Sequence, residues 1–270
     1  MPALRNRNRE GEPTTSARPC LLSAAALSDV GRIRKRNEDA VAVLPDEGLF
    51  IVADGMGGRR AGAAASRIVT EALPAMIRTR AAGLPADDVE SWSLAVRDAI
   101  VELSRQIQGQ SASRTGFGGM GATVVLAHVR ADRALIAHMG DSRAYVFRDG
   151  RLAQLTDDHS VVGVLLRQGR ISPEEARDHP AAGRLSRYVG MEGEVYPDLQ
   201  VLSVSSGDRL LLCTDGLTGM VADAAIAATL AERPEPGAAC RALVDAANAA
   251  GGRDNITVLV VDFPGRGSSA

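Results

Sequence analysis

Residues 123–155 read TVVLAHVRADRALIAHMGDSRAYVFRDGRLAQL. Four short apolar runs, Thr123–Val129, Ala134–His138, Ala144–Phe147 and Leu152–Leu155, follow one another across turn residues, which predicts four consecutive strands. Arg148-Asp149-Gly150 reads as the hairpin turn between the last two. Four strands with no helix between them do not come from alternating βαβ units. Upstream, Arg60–Arg80 carries Ala63, Ile68, Ala72 and Ile77 at helical spacing. Val89–Gln108 does the same with Trp92, Val96, Ile100, Leu103 and Ile107. Ahead of these two helices, Leu21–Leu27, Ala40–Leu44 and Leu49–Ala53 read as strands. Downstream come short helices over Asp158–Gly169 and Ser172–Arg177, the second opened by Ser-Pro-Glu-Glu with proline at its first position. Strands follow at Leu199–Val204 and Arg209–Cys213, then helices at Asp223–Leu230 and Glu235–Ala249, then a last strand, Ile256–Val261. Strands in runs and helices in pairs specify a layered α+β fold of antiparallel sheets covered by helices.

The chain has 270 residues, 45% of them hydrophobic and 24% charged, which is globular composition and excludes a disordered or fibrous chain. No stretch approaches the ~18 consecutive apolar residues of a membrane span, so no membrane association is expected. Lys+Arg number 31 against Asp+Glu 33, a formal charge of −2, and that balance gives no reason to expect a nucleic-acid partner. Cys20, Cys213 and Cys240 form no CxxC pair, which points to a reducing compartment without a disulfide framework or zinc site. The basic N-terminus is followed by no signal-peptide core, so a cytoplasmic protein is expected. Residues 1–20 read as a disordered arm, 21–263 as one domain and 264–270 as a flexible tail.

Acidic motifs stand at strand ends throughout: Asn37-Glu38-Asp39, Asp54-Gly55, Asp141, Asp215-Gly216 and Asp254-Asn255. Each alone is compatible with an ordinary turn. Together they would aim carboxylates from distant parts of the chain at one point. Carboxylates cannot share a small volume without compensating charge, and oxygen-only sites suit hard divalent cations such as Mg²⁺ or Mn²⁺. Glycine after the aspartate lets a backbone carbonyl come close as a further ligand.

In order and flanks, RIRKRNEDA (32–40), ADGMGG (53–58), GMGAT (119–123), GDSRAY (140–145), LLCTDGL (211–217) and GRDNITV (252–258) resemble the bacterial branch of the metal-dependent protein phosphatases of the 2C type. The resemblance runs from about Ser23 to Asp262. It implies a four-layer α-β-β-α sandwich of two antiparallel sheets flanked by helix pairs, with a dinuclear Mn²⁺/Mg²⁺ centre at one end. It also implies hydrolysis of phosphoserine and phosphothreonine in proteins by a water activated between two metals, opposing a bacterial Ser/Thr kinase. A monomer is expected. Matched by motif position, Asp54 bridges the metals and Gly55 gives its carbonyl. Asp215 and Asp254 complete one metal site; Glu38 ligates the other, with Asp39 in support. Asp141 helps hold a third, weaker cation together with Asp215, and Arg34 clamps the phosphate. Residues 156–190 match the flap beside the active site. The chain departs from the family pattern at His179-Pro180-Ala181-Ala182-Gly183, where an arginine and a polar side chain are missing. Gly219 stands where an aspartate is common. Met56 leaves no side-chain acid after the Asp54-Gly55 pair.

Other readings weigh less. Gly116 to Gly121 satisfies GxGxxG with Asp141 beyond it, but a helix precedes it and a strand follows, the reverse of a dinucleotide site. The four histidines share no metal-ligand spacing, although His159 lies at the flap entrance. A phosphatase-like regulatory or binding module with weak or no activity is the alternative function, and small phosphate esters are an alternative substrate class.

Overall fold

Leu49 to Ala53 are all buried, yet alternate residues of this stretch pack against different layers. Leu49, Ile51 and Ala53 join a core with the helices α1 (Ala61–Ala81) and α2 (Val89–Ser113), whereas Phe50 and Val52 join a core shared with a second sheet. Side chains alternate across a strand, so a strand apolar on both faces lies between two layers. The stretch opens β3 (Leu49–Met56). The same parity runs through β5 (Val124–Arg130) and β6 (Arg133–Met139), and in the other sheet through β7 (Arg143–Arg148), β10 (Arg209–Cys213) and β11 (Ile256–Asp262).

The computed structural model describes residues 22–57, 61–113, 118–177, 179–194 and 196–263. The arm expected over 1–20, the tail over 264–270, Cys20 and Gly116 lie outside the described residues. One sheet has the order β2 (Asp39–Leu44), β3, β5, β6, β9 (Asp198–Ser203), with β4 (Gly121–Ala122) pairing with the end of β3. The other runs β1 (Ser23–Asp29), β11, β10, β7, β8 (Arg151–Gln154). All the paired strands are antiparallel. Helices α1 and α2 cover the first sheet; α6 (Asp223–Glu232) and α7 (Pro236–Ala249) cover the second. The result is the expected four-layer α-β-β-α sandwich. No helix among the described residues is long and apolar enough to cross a membrane.

The structure differs from the sequence reading at the flap helices and at two short turns. The first flap helix, α3 (Val161–Arg167), starts three residues later than expected because the Ser160 Oγ accepts the Gly163 N–H at 3.0 Å and so sets its N-cap. The next, α4 (Pro173–Arg177), opens on a reciprocal box: Ser172 Oγ accepts from Glu175 N at 3.2 Å and Glu175 Oε2 from Ser172 N at 2.8 Å. A one-turn helix, α5 (Asp215–Thr218), and a 3₁₀ turn at Pro45–Glu47 were not expected; both are too short to show a period. The GxGxxG stretch leads from α2 into β4 and β5, the order that excludes a dinucleotide fingerprint.

Trp92 is the only tryptophan of the chain, and its Nε1 donates to His128 Nδ1 at 3.0 Å inside the first sheet's helix layer. Burial, with Arg130 adding repulsion, pushes the His128 pKa down to about 4, so the ring stays neutral and keeps the lone pair that Trp92 uses. The unfolded chain takes up this proton first. The stabilisation is therefore complete above about pH 6.5 and lost as pH falls through 4. Replacing His128→Gln should flatten the fall of unfolding free energy between these limits, by about 2–3 kcal/mol. Urea unfolding followed by Trp92 fluorescence checks this, and equal slopes in the two proteins would contradict it.

Candidate functional site

The parity that buries Phe50 and Val52 between the sheets carries Asp54 to the same face at the end of β3. Asp39, at the start of β2, is its cross-strand neighbour and shares a face with Val41 and Val43. The second sheet delivers its carboxylates to the same end: Asp215 two residues past β10, and Asp254 two residues before β11. Asp141 follows β6 at the Gly140 turn. Glu38, Asp54, Gly55, Asp141, Asp215 and Asp254 line one cleft of about 710 Å³, with Arg34 on its rim and Gly183 and Leu185 of the flap opposite. Asp39 sits beneath. Every sequence-picked site residue is thus at one end of the sandwich.

The electrostatics of this arrangement are unfavourable as they stand. Burial holds the Asp54 pKa well above the usual carboxylate range, and Asp39, Asp215, Asp141 and Asp254 raise it further. Burial likewise pushes Asp141 up to about 8, Asp39 to about 7 and Asp215 to about 6, with neighbouring carboxylates adding to each. Asp39 Oδ1 and Asp215 Oδ1 are buried and have no hydrogen-bond partner. Glu38 Oε2 and the Gly55 carbonyl oxygen each lie 2.6 Å from where a Cβ on Gly62 would stand, so only glycine there keeps the space between those oxygens open. Arg34 Nη2 donates to Asp254 Oδ2 at 2.7 Å, and this bond raises its already high pKa.

Several residues that hold the cluster were missed in the sequence. Thr214 and Thr257, from the second sheet, both donate to Asp39 Oδ2, at 3.0 and 2.7 Å. Thr123 Oγ1 accepts the Asp54 N–H at 2.9 Å. Asn255 Oδ1 accepts from Glu38 N at 2.8 Å, while its Nδ2 donates to the carbonyls of Val30 and Arg36 at 3.0 and 2.9 Å, pinning the loop that carries Arg34. Their signal was present: Thr214 and Thr257 are polar residues in apolar runs on the inner-face phase. At the departures from the family pattern, a Cβ on Gly219 would meet only the Asp215 carbonyl oxygen, at 3.0 Å. His179 closes a local turn through its Nδ1, which accepts from Ala181 N at 3.1 Å.

The chain is similar in sequence and fold to known proteins. The family profile described as Protein phosphatase 2C matches residues 32–246. The serine/threonine phosphatase stp of Listeria welshimeri is 40% identical over 244 residues, covering 89% of this chain and 96% of that protein. The crystal structure of the Mycobacterium tuberculosis serine/threonine phosphatase PstP/Ppp superposes with a TM-score of 0.77 at 37% identity, covering 90% of this chain and 99% of that one. A structure of the PstP catalytic domain in complex with two manganese ions gives 0.75 at 35% identity, covering 90% and 98%.

The crowding can be measured without any reaction. In protein stripped of divalent cations the folded state holds protons on these carboxylates that the unfolded chain has released, so stability falls as pH rises from about 4 through 8. Replacing Asp54→Asn removes one of the mutually repelling charges. Under EDTA at pH 8 it should raise Tm by several degrees, on the order of 1–2 kcal/mol. A lower Tm than wild type at that pH would mean that the carboxylates are not in conflict.

Proposed function

The chain belongs to the protein phosphatase 2C family, and on that premise we propose that the cleft hydrolyses phosphoserine and phosphothreonine in proteins with two divalent cations, Mn²⁺ or Mg²⁺, held among its carboxylates. The observation that carries the reading is the set of oxygen donors brought to one end of the sandwich, with two buried carboxylate oxygens left without partners. Oxygen-only donors fit hard cations, and the mutual repulsion of the carboxylates asks for positive charge. Asp54 would hold both cations, with the Gly55 carbonyl as a further ligand, Asp215 and Asp254 one of them, and Glu38 the other. Asp39 supports from below through its Thr214 and Thr257 bonds. Asp141 with Asp215 would hold a third, weaker cation. Two such cations lower the pKa of water and stabilise charge on the attacking and leaving oxygens of an in-line displacement.

The chain's own residues do the rest. Arg34, with its side chain 55% exposed on the rim, offers a planar fork that matches two phosphate oxygens and stays charged at any working pH. Its bond to Asp254 orients it toward the cleft until a phosphate competes for it. Asn255 and Thr123 hold Glu38 and Asp54 by their backbones, so the donor oxygens need little reorganisation when charge develops. Met56 offers no side-chain acid after the Asp54-Gly55 pair, and in this reading the leaving serine or threonine oxygen takes its proton from solvent. Phosphorylated proteins are the substrates, and a bacterial Ser/Thr kinase is the class of enzyme that supplies them. One chain, residues 21–263, carries the whole cleft in this reading, which supports a monomer. The free, buried Cys213 and Cys240 suit the reducing cytoplasm.

Turnover of a phosphothreonine peptide should need added Mn²⁺ or Mg²⁺ and vanish with EDTA, returning on readdition; full activity in stripped protein would refute the reading and favour neither cation. Small esters turned over faster than phosphopeptides would move the substrate class. Arg34→Ala should raise KM for the peptide by about tenfold and leave cation affinity close to wild type, the loss of one charge-assisted pair. Calorimetric titration beside single-turnover kinetics separates the metal shells. Asp215→Asn should nearly abolish turnover, whereas Asp141→Asn should keep both tight cations and lose less. Near-normal turnover in Asp215→Asn, or loss of the tight cations in Asp141→Asn, would reverse these roles.

A further inference from the structure

We propose that His159 is a positioning residue that latches the flap onto the turn carrying Asp141, through a His159–Asp198–Arg187 relay; its consequence for turnover rests on the phosphatase reading above. His159 stands at the flap's neck, where the outgoing and returning legs run side by side. Ser160 bridges Leu185, Ser186 N donates to the His159 carbonyl at 2.8 Å, and Val161 N donates to the Arg184 carbonyl at 2.8 Å. Its side chain reaches the other way. His159 N donates to the Gly140 carbonyl at 2.9 Å, and Gly140 N donates back to His159 Nδ1 at 3.3 Å. An Nδ1 that accepts leaves the ring proton on Nε2, which donates to Asp198 Oδ2 at 3.0 Å. The other Asp198 oxygen accepts from Arg187 Nη1, which also donates to the Tyr196 carbonyl at 3.0 Å.

One imidazole in one tautomer therefore joins the β6 turn, the first residue of β9 and the returning leg of the flap. The ring is 2% exposed and stacks on His138 at 4.4 Å between centroids. His138 Nε2 donates to the Asp157 carbonyl at 2.9 Å and so holds the outgoing leg as well. Burial and the neighbouring His138 hold His159 neutral, which preserves the tautomer. On its far side Gly140, at φ +115°, packs so tightly that a Cβ would stand 2.6 Å from Thr123 Cβ. Thr123 Oγ1 shares a 2.7 Å hydrogen bond with Ser142 Oγ and accepts from Asp54 N. A continuous path of contacts thus leads from Asp54 to the flap that sets Leu185 against the cleft.

His138, His159 and Asp198 also place donor atoms within 4.8 Å of one another, as a metal site would. The hydrogen bonds argue against that use. A carbonyl oxygen can only accept, so His138 Nε2 bears a proton, and His159 Nε2 bears one for Asp198. Neither nitrogen presents a lone pair to the other residues. The cluster is built as a latch.

Three substitutions divide the latch. Asp198→Ala cuts its outer arm from a half-exposed position where folding is least at risk. His159→Asn keeps an acceptor near the Nδ1 position for Gly140 N–H but cannot reach Asp198. His159→Ala removes both arms. Amide hydrogen exchange on cation-stripped protein reads the geometry, and phosphopeptide kinetics with Mn²⁺ reads the consequence. Asp198→Ala and His159→Asn should speed exchange across residues 160–190 by about tenfold while Gly140 stays protected, the loss of one charge-assisted bond. Both should raise KM more than they lower kcat. His159→Ala should also expose Gly140 and lower kcat, and Asn at that position should restore both. Unchanged flap exchange in Asp198→Ala, or no restoration by Asn in protein of wild-type Tm, would overturn the latch. A wild type without Mn²⁺-dependent turnover would defeat the phosphatase reading instead, and the exchange data would still decide the latch.

Discussion

Asp39 ties the sandwich together at its working end. Its Oδ2 belongs to one sheet and accepts hydrogen bonds from Thr214 and Thr257 of the other, while its Oδ1 is left without a partner. A buried carboxylate that satisfies only half of its hydrogen-bonding capacity is costly, and the cost rises with Asp54 and Asp215 beside it. The apolar interior elsewhere, Phe50, Val52, Leu212 and Leu259 among others, has to carry that cost. The fold thus spends stability at one end to keep a negatively charged socket open, which is the usual relation between stability and a preorganised site.

This constraint also explains which local details recur around the cleft. Backbone groups are held by side chains from neighbouring segments: Glu38 N by Asn255, Asp54 N by Thr123, Gly140 N by His159. Each bond anchors the peptide next to a carboxylate and leaves the carboxylate itself free. A socket designed to hold cations needs that division, because a carboxylate neutralised by a protein donor is a poorer ligand. Asp39 and Asp254 are the exceptions: Thr214 and Thr257 donate to Asp39 from below, and the Arg34 guanidinium rests on Asp254 from the solvent side.

Much of this was legible in the residues. The runs of strands and the paired helices specify layered antiparallel sheets because period 2 and period 3.6 are physical consequences of backbone geometry. The acidic residues at strand ends were legible for the same reason, since a strand's parity fixes which face its last residue joins. What was not legible depends on contacts between sheets. Thr214 and Thr257 are polar residues on the inner-face phase, but nothing in the chain shows that the first sheet brings Asp39 to them. The late start of α3 rests on a single Ser160 cap, and α5 is one turn long. The His159 ring shows no ligand spacing in sequence because its partners, Gly140, Asp198 and His138, are assembled by three different connections.

The account depends on the carboxylate socket holding protons until cations displace them. Isothermal titration of Mn²⁺ into cation-stripped protein at pH 7, repeated in buffers of different ionisation enthalpy, counts the protons released on binding. Because burial holds Asp141 up at about 8 and Asp39 at about 7, binding should release about one proton or more per chain, and the apparent heat should differ between buffers. Tight binding with a heat independent of buffer would contradict the account, because the carboxylates would then have been ionised and uncompensated in the empty cleft.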